Sequence, residues 1–429
     1  MISRRRFLET TAIAGVTLGA APLALAKTKD ACPALPPSIA SLKSMKDQAA
    51  PITTEERLAR QDHARRLMAA NHLDAILLME GTSLEYFTGI RWWGGERLFA
   101  MLLPAKAAAC YICPAFEEAR AREQMAKAPD GEHADVRVWQ ENDNPYQLVA
   151  QGLKDRNLLT ATIGLEESIR FVFADGIAKA ASQATFVSAT SVTAGCRQIK
   201  SDHEIALMRL AAKATLAVYQ AAYRALKPGM TRGDLEQLIA SAYERIGFPG
   251  DASVQVDAFT AVPHGSVATQ VIHDGSIILL DDGCTVEGYV SDITRTFVLG
   301  KASDKMRTVF DIVHRAQTDA LKTARPGVEC QAVDTAARKV ITDAGYGPDY
   351  KFFRHRLGHG MGMDGHEWPY LVRGNTTPLA ANMTFSDEPG VYIPGEFGIR
   401  LEDDMHITES GAELFTPQSP SLEDPFGAS

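Results

Sequence analysis

The chain has 429 residues, 45% of them hydrophobic and 23% charged, with a formal net charge of -9. That size and apolar share can bury a sizeable core and suggest two domains of roughly 150–200 residues each, and they exclude a disordered or collagen-like chain. No long block of one charge appears, so there is no electrostatic case for nucleic acid or an anionic membrane surface as a partner.

Residues 1–26 have the three regions of an export signal. Ser3-Arg4-Arg5-Arg6-Phe7-Leu8 is the basic start, residues 11–25 are apolar, and Ala24-Leu25-Ala26 is a small-residue exit. The arginines give it a twin-arginine character, which predicts a periplasmic or secreted protein. The apolar run is short and rich in Ala, Gly and Thr, so no stable membrane anchor is expected. Residues 27–54 read as a tail or linker. Six cysteines scattered over this length are too sparse for a disulfide scaffold. Cys110 and Cys113 have metal-ribbon spacing but no second pair, inside a strand-like segment.

Residues 55–197 alternate helix and strand. Thr53 reads as the N-cap of a helix, the segments LDAILLM (73–79), LFAMLLP (98–104) and ACYICPA (109–115) as buried strands, and 117–127 as a helix. This pattern argues a small α/β domain. Within it, residues 86–97 concentrate aromatics, glycines and arginines, which suits a pocket wall, a subunit contact or buried core aromatics.

Residues 198–429 form the second predicted domain. A long helix starts at Ser201 and stops at Pro228-Gly229, and another ends at Gly247, as a C-cap should. Helix, helix, strand, strand then recurs, with helices at 305–324 and 332–344 and strand-like stretches at 385–392 and 399–407. The repeat predicts an α+β domain of two similar halves about a pseudo-two-fold, contributing to one curved sheet.

The chemistry concentrates in this second part. Residues 277–296 read as a hairpin that sets Asp281 and Asp292 on facing strands, with Asp282 beside Gly283 as a turn residue. Two anions held that close need a cation. His355-Arg356-Leu357-Gly358-His359-Gly360, His366-Glu367, Asp387-Glu388-Pro389-Gly390 and Arg400-Leu401-Glu402 follow. On a strand, Arg400 and Glu402 share a face, and Glu388 and Tyr392 do so if the strand stays regular past Pro389. Taken together, Asp281, Asp292, His359, Glu388 and Glu402 suit two hard, oxygen-preferring divalent ions, with Mn²⁺ the first choice and Co²⁺, Fe²⁺ or Zn²⁺ the alternatives. Bridged by carboxylates about 3.5–4 Å apart, such ions can share a hydroxide nucleophile. The competing H-E-x-x-H zinc pattern fails, because position 370 is Tyr370.

The D-x-G-x8-D hairpin, the glycine-flanked histidine, E-P-G and the closing R-x-E resemble the pita-bread metallopeptidases, which include methionine aminopeptidase, aminopeptidase P, prolidase and creatinase. The likeness spans about residues 55–420, and residues 55–197 are similar to the creatinase/prolidase N-terminal domain. It implies that the five residues bind two metals, with Asp292 and Glu402 bridging and Glu388 shuttling a proton. His264 and His366 would stabilise the tetrahedral oxyanion and His355 would line a proline pocket. Tyr392 and Arg400 match further active-site positions, with Arg400 and Thr294 orienting ligand carboxylates. The resemblance thus implies a dimetal hydrolase of the Xaa-Pro bond in dipeptides or short peptides, a dipeptidase before an aminopeptidase, and a homodimer. A pita-bread enzyme acting on a small non-peptide substrate and a non-catalytic binding module are the alternatives. Tyr370 departs from the pattern of some prolidases, in which an arginine there holds the dipeptide carboxylate. Arg373 or Arg97 would have to substitute, or the enzyme takes longer peptides.

Overall fold

The computed structural model describes residues 34–427 apart from Trp93, Asp130 and His264. The expected leader therefore lies outside the described residues. Residues 37–429 form one compact unit. The described end of the tail is built into it: Ile39 is fully buried and the Ser38 hydroxyl donates to the Ala221 carbonyl at 2.8 Å. Among the described residues no helix is long and apolar enough to cross a membrane.

The first half centres on a six-stranded sheet made of β1 (Ala75–Met79), β2 (Ala100–Pro104), β3 (Cys110–Pro114), β4 (Asp135–Trp139), β5 (Thr162–Leu165) and β6 (Thr185–Ser188), in the order β4-β3-β2-β1-β5-β6. Strands β1 to β3 are buried at every position, as their continuous apolar runs require. The helix Thr54–Ala70 starts where Thr53 accepts from the Glu56 amide and the Glu56 carboxylate accepts from the Thr53 amide, a reciprocal cap. Cys110 and Cys113 are free, buried thiols in β3, pushed by burial up to about 11 and 12, which fits packing rather than metal binding. In the segment 86–97, Tyr86, Phe87 and Trp92 are core residues, with Trp92 stacked on Phe99 at 4.2 Å.

In the second half the helix Asp202–Ala225 is capped by Ser201, and Arg232–Ile246 ends on Gly247 at φ +94°, a left-handed position that glycine adopts without strain. The helices Asp304–Thr323 and Cys330–Asp343 pack on each other. Two apolar cores result. Strand β8 (Ile277–Asp281) separates them, because alternate side chains face opposite ways: Ile278 and Leu280 enter the core with Met208 and Leu235, while Ile277 enters the core with Val309 and Phe385.

Hydrogen bonding divides the expected single curved sheet. With β7 (Ser253–Val256), β9 (Thr285–Val286), β10 (Tyr289–Val290), β11 (Arg295–Val298), β12 (Gly358–Gly360), β13 (Glu367–Leu371), β14 (Thr384–Asp387), β15 (Gly390–Ile393), β16 (Phe397–Arg400), β17 (Asp403–Ile407) and β18 (Ala412–Leu414), the ladders are β11-β8-β7, β13-β12-β14-β17-β18, β15-β16 and β10-β9. The stretches expected to run through 385–392 and 399–407 each break in the middle, at Glu388-Pro389 and at Leu401-Glu402, so Glu388 and Tyr392 do not share one regular strand. Proline has no N–H to donate to a ladder, which accounts for the first break. Bonds from the Glu402 amide to the Thr294 carbonyl (3.2 Å) and between Thr296 and Arg400 tie the pieces together.

The hairpin also differs from expectation. Strand β8 pairs with β11, in the register Leu280 to Arg295, but β11 begins three residues after Asp292. Asp292 therefore lies on irregular backbone that follows the short β9/β10 ladder. Gly283 makes this excursion possible, because a Cβ there would lie 2.1 Å from the Ser291 carbonyl oxygen. Asp282 is an exposed turn residue at φ +102°.

Candidate metal centre

Each expected carboxylate ligand is delivered by the end of a strand or a break between strands, and the histidine by a short strand. Asp281 ends β8, Asp292 precedes β11, His359 is central in β12, Glu388 sits between β14 and β15, and Glu402 between β16 and β17. These breaks free the carboxylates from the alternation of a regular strand and turn them toward one point. Their donor atoms form three overlapping triplets, each within 4.8 Å: Asp281, Asp292 and Glu402; His359, Glu388 and Glu402; and Asp292, His359 and His366. All five residues are thus brought together, and His366 joins them.

Polar contacts hold this cluster from behind. Arg400 donates to Asp281 and, through Nε, to the Thr294 hydroxyl at 3.0 Å. That hydroxyl lies 2.7 Å from Asp281 Oδ1 and 2.5 Å from Glu402 Oε2, so its single proton is available to either carboxylate. Sequence reading missed two supports. Ser386 accepts from the His359 amide (3.0 Å) and reaches Glu388 Oε1 (3.2 Å), and Asp404 accepts from the Asp292 amide (3.1 Å). Each lies two residues from an expected ligand, and period-two counting along the strand is the signal that points to them. Behind Glu388, Asp387 is fully buried, and among the described residues neither of its carboxylate oxygens is hydrogen-bonded.

The histidines are arranged in two ways. His366 stacks flat on His359 with ring centroids 3.6 Å apart. His355 Nε2 lies 2.6 Å from the Tyr392 hydroxyl and its Nδ1 lies 2.8 Å from the Arg356 carbonyl. A neutral ring protonated on Nδ1 satisfies both contacts, with the Tyr392 hydroxyl donating to Nε2 and accepting from Arg400 Nη1 at 3.1 Å. Burial lowers the His355 pKa, consistent with that neutral form. His264 lies outside the described residues.

The electrostatics of the cluster call for a cation. Burial, with repulsion from Asp281 and Glu388, pushes Asp292 well above the usual carboxylate range, and burial with Asp292 and Glu388 does the same to Glu402. Glu388 goes the other way: burial works to raise it, but His359, His355 and Arg400 together outweigh this and pull it down to about 2. Four carboxylates and one imidazole form an oxygen-rich donor set that fits hard divalent ions.

Comparison with known proteins places this geometry. Residues 206–409 match Metallopeptidase family M24, and residues 60–199 match the Creatinase/Prolidase N-terminal domain. The chain is 32% identical over 379 residues to a Xaa-Pro dipeptidase of Lactobacillus delbrueckii subsp. lactis, covering 84% of this chain and 98% of that protein. The crystal structure of dipeptidase PepE from Mycobacterium ulcerans superposes with a TM-score of 0.80 at 32% identity, covering 87% of this chain and 99% of that one. A prolidase from Thermococcus sibiricus gives 0.76 at 27% identity, with 86% and 98% covered.

Proposed function

The chain belongs to metallopeptidase family M24, and we propose that it hydrolyses the Xaa-Pro bond of dipeptides or short peptides at a two-metal centre held by Asp281, Asp292, His359, Glu388 and Glu402. The observation that carries this reading is the convergence of their donor atoms in overlapping triplets. Glu402, Asp292 and His359 each belong to two triplets, and of these the two carboxylates have the second oxygen that would let them serve both ions. Bound there, a pair of divalent ions supplies Lewis-acid polarisation of the scissile carbonyl and a hydroxide nucleophile at neutral pH.

The chain's own residues do the rest. Glu388, held ionised, takes the proton of the attacking water and returns it to the leaving proline nitrogen. His366, at the rim of the cluster, donates to the oxygen that becomes negative as the carbonyl turns tetrahedral. His355, neutral and fixed by Tyr392, walls the proline side. Thr294 and Arg400 keep Asp281 and Glu402 in place, so the ligands need little rearrangement on binding.

A second reading, aminopeptidase action on longer peptides, is favoured by a cavity of about 370 Å³ lined by His366, Trp368, Tyr370, Arg197 and Glu80. It offers room beyond a dipeptide. Mass-spectrometric product analysis of Mn²⁺-loaded protein with Ala-Pro, Arg-Pro-Pro and Ala-Ala tests both readings. Ala-Pro cleavage is expected; cleavage of Arg-Pro-Pro alone would replace the dipeptidase by an aminopeptidase, and cleavage of Ala-Ala alone would overturn the proline assignment.

A further inference from the structure

We propose that Arg197, at the end of the N-terminal domain, is a positioning residue that holds the His366 imidazole where the substrate carbonyl develops negative charge. This inference rests on the role given to His366 above. Arg197 closes the helix Thr190–Arg197, and its guanidinium crosses to the turn that carries His366. There it donates to Asp364 and, through Nε at 3.2 Å, to Glu367 Oε1. The same Glu367 oxygen accepts the amides of Met363 and Asp364, each at 3.0 Å. One carboxylate oxygen thus folds residues 363–367 into a turn, and one planar fork fixes the separation of the two acids within it. His366 stands inside that turn, directly before β13.

The turn is gripped from further positions. Lys200 Nζ approaches the other Glu367 oxygen at 3.4 Å, and the hydroxyl of Thr82, which opens the helix Thr82–Thr88, donates to Asp364. The side chains of Arg197, Lys200 and Glu367 are 10%, 2% and 5% exposed. Burial works to raise the Glu367 pKa, but Arg197 and Lys200 outweigh it, so the carboxylate stays ionised. Ion pairs this buried bring little net stability, because lost hydration offsets their attraction. What they fix is geometry, and here they fix it beside the candidate centre. From this turn the His366 ring lies flat on His359 at 3.6 Å, and its donor nitrogen falls within 4.8 Å of donor atoms of His359 and Asp292. The height and tilt of that ring follow the backbone of the turn, so Arg197 carries the influence of the N-terminal domain to the reacting atoms.

The test uses Ala-Pro and the Mn²⁺-loaded full-length protein. Arg197→Met should lower kcat by roughly 10- to 100-fold while KM moves less than about threefold, because a displaced oxyanion donor is missed only in the transition state. His366→Ala should lose at least as much, and Arg197→Met added to it should cost less than about threefold more, since both changes remove one interaction. Arg197→Lys keeps the charge but not the fork and should lose less than Arg197→Met. Losses that multiply in the double variant, a loss confined to KM, or no loss at all would overturn the proposal. If Arg197→Met does not fold, Asp364→Asn decides: its side chain is 44% exposed, and it should lower kcat in the wild-type background but not in His366→Ala. Crystal structures of the metal-free proteins separate this inference from the hydrolase reading. The His366 ring should leave the His359 stack in Arg197→Met, and a ring stacked as before would refute the clamp. If the wild type cleaves no peptide and the ring still moves, the hydrolase reading fails while the positioning by Arg197 stands.

Discussion

Asp292→Asn is expected to lower kcat/KM on Ala-Pro by roughly 10³-fold or more, equivalent to the several kcal/mol of barrier that an activated hydroxide removes. Asp292 belongs to two of the three donor triplets, one with Asp281 and Glu402 and one with His359 and His366, so it joins the two sides of the cluster, as Glu402 does through Asp281 and His359. The fold should survive, because the position of this segment depends on the backbone amide of Asp292 held by Asp404, and the amide is unchanged. Stability should move in the opposite direction to activity. Without metal the folded chain confines the Asp292 carboxyl against Asp281 and Glu388, and a neutral amide relieves that repulsion. Metal-free Asp292→Asn should therefore resist urea at least as well as the metal-free wild type, while gaining less from added Mn²⁺. Full activity in this variant would remove Asp292 from the centre.

Arg295→Met is expected to cost about 3–5 kcal/mol of stability, the usual penalty for stranding one member of a buried ion pair. Arg295 and Asp403 are 1% and 0% exposed at their side chains and meet at 2.6 Å. The same guanidinium donates to the carbonyls of Thr294 (3.0 Å), Glu402 (2.8 Å) and Pro417 (2.9 Å). It thereby ties the segment after Asp292 to the segment that carries Glu402. Without it, Asp403 keeps donors from Gln317 and Thr416 but loses its countercharge. Urea unfolding reads the loss directly. Arg295→Met/Asp403→Leu should recover much of it, since an apolar pair of suitable volume avoids the buried charge. A loss below about 1 kcal/mol in the single variant would show that the pair is not a structural clamp.

Elements dominated by local physics were legible in the sequence. The helix beginning at Ser201 and the one ending at Gly247 carry their boundaries in their cap residues, and β1 to β3 appear as uninterrupted apolar runs. The five candidate ligands were legible through the motifs that carry the family resemblance, D-x-G-x8-D, the glycine-flanked histidine, E-P-G and R-x-E. What misled was the assumption of regular strands. Period-two reasoning makes Glu388 and Tyr392 neighbours on one strand and places Asp292 inside a hairpin arm, whereas each carboxylate ligand sits at the end of a strand or at an interruption. Pro389 and Gly283 mark two of these interruptions, but how far each bends the chain depends on tertiary bonds such as that between Glu402 and Thr294. The clamp of Arg197 on Glu367 lay beyond reach for a related reason. It joins residues 170 apart through the packing of two domains, which no local signal encodes.

The most direct measurement is anomalous diffraction from crystals of the Mn²⁺-loaded protein, collected above and below the manganese edge. Two anomalous peaks per chain, about 3.5–4 Å apart and enclosed by Asp281, Asp292, His359, Glu388 and Glu402, are expected. Manganese bound elsewhere, or no peak among these five residues in protein that cleaves Ala-Pro, would contradict the assignment.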